Sequence, residues 1–325
     1  MTLSVHPKQT CYMKNKTIYL VTGSSGYVAS ILIPELKKKA IVFGIDIIAS
    51  QNTDFISDIG SNELRKELKK FKNYNIFIIN LAAARFDFGA KANDYYKKNV
   101  KPVDYFLESL ASLNIIKFVH ISSVAAIDGR DIKYSNNLSC DNAYRSTKFI
   151  QENIISKWCI KNNIPKFIVY PSAIFDNNSR SDTNIGKLQK ISKKLPFIPY
   201  IKTKKSLTYL PYLTDFIYKI LSGKVNTGLY LTIERPVLSV SEIIQIISQK
   251  NTSIVKLPCL KILLLTIAYF LYAIGGFGYF DLKLTPNRVV KLFKNTDYAD
   301  TNDIDIVSYN KLYGGSLSDI INEIK

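Results

Sequence analysis

Histidine and cysteine are scarce. The 325 residues hold two histidines, His6 and His120, and four cysteines, Cys11, Cys140, Cys159 and Cys259. The cysteines lie far apart, without the spacing of a zinc site, which argues against a metal centre. Residues 1–16 are polar and lack the apolar core of a secretory leader. The expected setting is therefore cytoplasmic and reducing, with free thiols. Carboxylates are also few: 26 Asp+Glu against 44 Lys+Arg give a net charge of +18. Such a balance suits nucleic acid, an anionic membrane surface or a phosphate-bearing substrate. The lysines are scattered and no basic helix alternates with exposed aromatics, so nucleic acid is not the expected partner. Internal repeats and low-complexity linkers are missing too. One long charge-free run stands out, Ile262 to Phe280, 19 residues between Lys261 and Asp281. A membrane-spanning helix needs about 20 apolar residues, and Gly275, Gly276 and Gly278 cut the helical part to about 13. A buried or membrane-surface helix is expected there, giving possible membrane association without a span.

What the chain does have is rhythm. Strands are predicted at Ile18–Val21, Ile41–Asp46, Ile76–Asn80, Lys117–Ser122 and Phe167–Tyr170. Helices are predicted at Val28–Lys39, Asn62–Phe71, Ala92–Leu113 and Asn142–Lys161. Alternation at this spacing predicts an α/β fold with a Rossmann-type, doubly wound parallel sheet, and the near-continuous apolar strands fit burial on both faces. After Pro171 the rhythm loosens, with short helices at Thr214–Leu221 and Ser239–Gln249. The expected division is a dinucleotide domain over 1–172 and a smaller substrate-binding lobe over 173–325, interleaved with the sheet.

The first strand breaks into Thr22-Gly23-Ser24-Ser25-Gly26 and passes directly into a helix. Backbone N–H groups at a helix N-terminus bind phosphate without side chains. Gly23 permits the tight turn and Gly26 lets the backbone approach a pyrophosphate, while Ala29 stands at the third, packing glycine. Ser25 and Tyr27 belong to the same expected cofactor loop. Asp46 ends the second strand, where an acid accepts hydrogen bonds from ribose hydroxyls and repels a 2′-phosphate. The expected cofactor is NAD.

With "FISDIG", "NLAAA", "ISS" and "YRSTK" in order after this loop, the chain resembles the extended short-chain dehydrogenase/reductase family, specifically its NAD-dependent epimerase/dehydratase group acting on nucleotide sugars. The resemblance implies that Asp58 and Ile59 touch the adenine, and that Leu81, Ala82 and Ala83 line the cofactor. It implies that Asn99 steadies the central strands and that Pro171 and Ala173 flank the nicotinamide. Ser122 and Ser123 match the strand-end pair whose second member is the catalytic hydroxyl. Tyr144 and Lys148 match the Tyr-x-x-x-Lys motif. Arg85 and Arg288 are the implied substrate-binding arginines. Tyr170 replaces the usual Arg before the proline, Asn80 replaces a frequent His, and Phe175-Asp176 replaces the usual Tyr-Gly.

The implied chemistry is physically sound. Residues four apart on a helix share a face, and an ammonium near a phenol favours the phenolate. Tyr144 would then exchange a proton with a sugar hydroxyl while hydride moves to or from the cofactor. The resemblance implies a 4-epimerase or 4-keto reductase, working as a homodimer through its two long helices and supplying surface polysaccharide. Two alternatives remain: a dehydrogenase of a hydrophobic 3-hydroxy substrate such as a sterol, and a non-catalytic NAD sensor. His120, inside an apolar strand, is expected to pack there.

Overall fold

The strands carry apolar side chains on both faces, so both faces must be covered. In the computed structural model, which describes residues 16–84, 90–176, 183–248, 253–273, 285–298 and 304–307, they are. The main sheet holds β1 (Lys16–Thr22), β2 (Ile41–Asp46), β3 (Phe55–Ile56), β4 (Tyr74–Asn80), β5 (Asn114–Ile121), β6 (Lys166–Pro171), β11 (Gly228–Thr232) and β14 (Asp305–Val307). Its order is β14-β11-β6-β5-β4-β1-β2-β3, and every pairing in it is parallel. The expected doubly wound sheet is therefore present. The chain leaves β1 towards β2 and β3, then returns to place β4 on the other side of β1. That reversal opens a crevice at the carboxyl ends of β1 and β4, where open α/β sheets take ligands.

The period of two sorts the strand side chains. Ile18 and Leu20 of β1, with Ile76 and Ile78 of β4, face α2 (Asn62–Leu68), α4 (Lys101–Leu110) and α6 (Cys140–Lys161). Val21 and Ile79 face the other way, onto α1 (Tyr27–Lys37) and α8 (Leu210–Leu221). Two cores thus clamp the sheet. Burying a Phe106 or Ile217 side chain in them contributes roughly 1.5–3 kcal/mol each.

One expectation fails. The predicted continuous helix Ala92–Leu113 is two helices, α3 (Ala92–Asn99) and α4, meeting at Val100 with φ −111° and ψ −59°. Pro102 is the cause. It lacks a backbone N–H, and its ring clashes with the carbonyl four residues back inside a helix, whereas near a helix start it is tolerated.

Between these elements lie α5 (Val124–Asp128) and, after β6, a run of short pieces. β7 (Ala173–Phe175) pairs in parallel with β10 (Leu207–Tyr209). β8 (Ile198–Pro199) pairs with β13 (Ile254–Val255), and β9 (Lys204–Lys205) with β12 (Leu238–Ser239). Packed around them are α7 (Asn184–Ser192), α9 (Val240–Ser248), α10 (Leu260–Ala273) and α11 (Pro286–Leu292). No helix among the described residues is long and apolar enough to cross a membrane. The charge-free run forms α10 up to Ala273, and residues 274–280 lie outside the described ones.

Candidate active site

The β1–α1 turn is shaped for a close approach. Gly23 has φ +74°, a backbone region that glycine enters freely. A Cβ there would stand 2.8 Å from the backbone N of Ala82 and 2.8 Å from the carbonyl carbon of Leu81. The turn therefore lies directly against the end of β4. Gly26 is the N-cap of α1, without a capping side chain and without an acidic residue in the first turn. That helix N-terminus is left open to an anion. At the end of β2, Asp46 Oδ2 accepts from Ser25 N (2.9 Å) and Ser25 Oγ (2.8 Å), and Oδ1 accepts from Ile48 N (3.1 Å). The acid is thus fixed beside the loop. The open helix start and the acid together fit a dinucleotide, with the pyrophosphate on the turn and a ribose at Asp46.

A cavity of about 470 Å³ opens at the crevice. Gly23, Gly26, Tyr27, Leu81, Ala83, Ser122, Ser123, Tyr144, Lys148, Pro171 and Ala173 all line it. Eleven expected residues spread over 150 positions of sequence thus meet at one wall, as the strand ends dictate. Val28, Ala29, Ile121, Ser172, Ile174, Thr183 and Ile185 complete the lining.

The other expected site residues are not part of the cavity lining. Asp58 Oδ1 accepts from Gly60 N (2.9 Å) and shapes its own turn, and Ile59 packs on the α2–α4–α6 side of the core. Ala82 N donates to Thr22 Oγ1 (3.4 Å). Asn99 is buried and grips the backbone of Ala84, accepting from its N (2.6 Å) and donating to its O (3.0 Å). It thus steadies the segment leaving β4. Arg288 lies on α11, its backbone N donating to Thr285 Oγ1 (3.3 Å), and is not part of the cavity lining. Arg85 lies outside the described residues.

The serine pair divides its work. Ser123 caps α5, its Oγ accepting from Ala125 N (3.2 Å). Ser122 Oγ donates instead to Glu152 Oε2 (3.2 Å). Tyr144 and Lys148 share a face of α6, and the Tyr144 ring stands 5.8 Å from that of Tyr95. Lys148 is 1% exposed and donates to Gln151 Oε1 (2.8 Å). Burial, offset in part by the Glu152 charge, pushes its ammonium down to about 8.

Beneath this lies a buried polar layer. Glu152 stands one turn below Lys148. Tyr170 donates to Glu152 Oε1 (2.5 Å), the opposite oxygen from Ser122. Burial raises the Glu152 carboxyl, while the Tyr170 and Ser122 hydrogen bonds and the Arg130 and Lys148 charges pull it back. Thr22 donates to Asn80 Oδ1 (2.5 Å), and Asn80 Nδ2 lies 3.1 Å from His120 Nδ1. His120 is held well below its ordinary pKa by burial first and by Lys148 second. It stays neutral within the sheet, in accord with a packing role. Glu152, Gln151 and Arg130 escaped the sequence reading, although Glu152 continues the four-residue step from Tyr144 to Lys148.

A Rossmann sheet with this glycine turn and acid is the fold of a dinucleotide-dependent enzyme. The model of the NAD dependent epimerase/dehydratase family matches residues 19–204, and the chain belongs to that family. It is an NAD-dependent enzyme of the epimerase/dehydratase class. A comparison with curated proteins finds no match. Among solved structures, UDP-glucuronic acid 4-epimerase from Bacillus cereus, in complex with NAD, is 21% identical with a TM-score of 0.59, over 74% of this chain and 87% of that one. UDP-N-acetylglucosamine 4-epimerase from the same organism is 15% identical with a TM-score of 0.60, over 74% and 85%. UDP-N-acetylglucosamine 4-epimerase from Methanobrevibacter ruminantium M1, in complex with UDP-N-acetylmuramic acid, is 18% identical with a TM-score of 0.59, over 75% and 86%. At these identities the likeness is one of fold.

Proposed function

We propose that the chain interconverts or reduces a nucleotide-activated sugar at a ring carbon, as a 4-epimerase or a 4-keto reductase. The observation that carries this is the meeting of Ser123, Tyr144 and Lys148 with the glycine turn around one cavity. The 4-epimerase names of the structural neighbours support the substrate class. When bound, NAD supplies the site that accepts and returns hydride. Gly23, Gly26 and the start of α1 hold its pyrophosphate, and Asp46 with Ser25 holds the ribose hydroxyls. Tyr144 takes the proton of the sugar hydroxyl and gives it back to the same oxygen. Ser123 Oγ bonds that oxygen and fixes its place. Lys148, charged below about pH 8, favours the Tyr144 phenolate and turns its other protons to the cofactor ribose. Leu81 and Ala83 pack along the cofactor, with Pro171 and Ala173 at the nicotinamide end.

Residues from 173 onward form the substrate-binding side, Ile174, Thr183 and Ile185 being its cavity residues. Two copies would join through α4 and α6, where Tyr105 and Ile160 are 61% and 66% exposed. Sedimentation analysis of the full chain tests the dimer. A role in surface polysaccharide synthesis fits a sugar-nucleotide product.

The deciding experiment is to denature the purified protein, identify any nicotinamide released by mass spectrometry, and offer UDP-sugars with and without NADH. Retained NAD with sugar interconversion and no added cofactor identifies an epimerase. Consumption of NADH only with a keto-sugar identifies a reductase. Bound NAD with neither activity sinks the sugar reading and points to a hydrophobic alcohol or a sensor.

A further inference from the structure

Helix α10 presents an apolar face to solvent. Ile262 is 63% exposed, Leu263 55%, Ile267 40%, Tyr269 60% and Phe270 63%. At 100° per residue these positions, with Thr266 and Ala273, fall within an arc of about 160°. The arc carries no charge, and Thr266 turns its hydroxyl onto the Ile262 carbonyl (3.1 Å). The opposite side is anchored, Ala268 being buried and Leu260 packing with Ile198, Ile201 and Leu292. Just before the helix, Leu257 and Ile254 are also 36% and 42% exposed. More than half of the exposed large apolar residues among the described residues fall between 200 and 270. A contiguous patch of this kind on a soluble surface marks an interaction site.

The surroundings are basic. Lys256 and Lys261 flank the helix start, and Lys256 stands over the Tyr200 ring at 5.4 Å. Thr183 to Ser206, which packs on the root of α10 through Ile198 and Ile201, holds seven lysines and no carboxylate. Lys205 is pushed down to about 8, by burial first and by the neighbouring Lys294 charge second. A second copy would bring its own excess of positive charge (+18) against this region. An anionic lipid surface complements it instead. The 14 residues of α10 span about 21 Å, short of a hydrocarbon core of about 30 Å.

We propose that α10 lies in the headgroup layer of an anionic membrane, with Ile262, Leu263, Ile267 and Phe270 in the acyl boundary and Lys202, Lys204, Lys256 and Lys261 at the phosphates. The surface docks the enzyme without spanning the bilayer, and it stands independently of the proposed sugar chemistry. The test is co-sedimentation of the full chain with vesicles of equal phosphatidylglycerol and phosphatidylcholine, against phosphatidylcholine alone. The native chain is expected to partition roughly tenfold or more in favour of the anionic vesicles. Ile262→Ser/Ile267→Ser/Phe270→Ser is expected to remove that binding while NAD retention is unchanged. Should the triple variant fold poorly, Phe270→Trp replaces it, and its emission is expected to shift to the blue with anionic vesicles only. Failure of the native chain to bind anionic vesicles overturns the proposal. So does conversion of a native oligomer to a monomer by the triple variant with vesicle binding intact, which would make the occupant a second copy.

Discussion

The floor of the cavity and the region after β6 are built on opposite plans. In the floor, long strands buried on both faces and the inner face of the 22-residue α6 bring their polar groups together in a layer beneath the cofactor turn. After β6, two-residue strands and short helices are joined by side-chain bonds to the backbone and by small apolar clusters. Ser241 Oγ accepts from Ile201 N (2.6 Å) and Thr203 Oγ1 donates to Leu292 O (2.9 Å), tying places 40 and 89 residues apart. In one region the elements need each other along their whole length. The other can vary piece by piece, which is where an enzyme's substrate choice and docking surfaces are free to differ.

The sharpest way to break this contrast is chemical. Tyr144→Phe is expected to lower turnover by roughly 10²–10⁴-fold, the usual worth of a positioned acid/base. NAD retention should persist by mass spectrometry, and an active variant would remove α6 from the chemistry. Next in size is a paired glycine experiment, read as melting temperatures. Gly23→Ala forces a Cβ onto the β4 end at φ +74° and should cost about 2–4 kcal/mol and most NAD retention. Gly223→Ala, at φ +78° but with only Lys117 Nζ at 3.8 Å in reach, should cost about 1 kcal/mol. Equal costs would mean that the floor is no tighter than the rest.

Lys148 supplies a third test, through stability. Its folded pKa of about 8 lies below the ordinary 10.5. Between these values the unfolded chain holds the extra proton, so native stability rises as pH rises through that window. Below about 8 the buried charge is a standing cost. Lys148→Met should therefore stabilise the cofactor-free protein at pH 7 by the order of 1–3 kcal/mol while abolishing turnover. Thermal melts from pH 7 to 10 should lose most of their upward slope. Lys205, also pushed down to about 8, leaves a remainder of the same sign, and the Cys159 thiol, pushed up to about 12 by burial, one of the opposite sign above about pH 9. The smallest effect is Tyr170→Phe, which removes one donor from Glu152 and should cost about 1 kcal/mol. A Tyr170→Phe protein as stable as the native one would mean that Arg130 and Ser122 suffice to hold the acid.

The sequence was readable where local pattern and burial agree. The alternation of strand and helix, the glycine turn, Asp46 and the Tyr144–Lys148 step are all short-range features; the cavity brings the turn and the step together, and Asp46 is held to the turn by Ser25. Pro102 was visible too, but its break in the 92–113 run needed the rule that a proline starts a helix rather than sits inside one. Tyr170 was legible as a departure from the family pattern and Glu152 only as a letter. Their meeting depends on how α6 lies across β6, a contact 18 residues apart in sequence. The exposure of α10 was beyond reading for the same reason: a charge-free helix is apolar whether it is buried or not, and only tertiary packing decides.

Helix α6 also works as a measuring stick. Tyr144, Lys148 and Glu152 descend one turn at a time from the cavity to the core, in steps of about 6 Å. Inserting a single residue between them would rotate everything beyond it by about 100° and detach acid/base, ammonium and buried carboxylate at one stroke. The exposed turn Ser135–Asn137, just before the helix, has no such calibration to keep. Changes of chain length are therefore expected to be accepted there and refused within α6, whatever residues they bring.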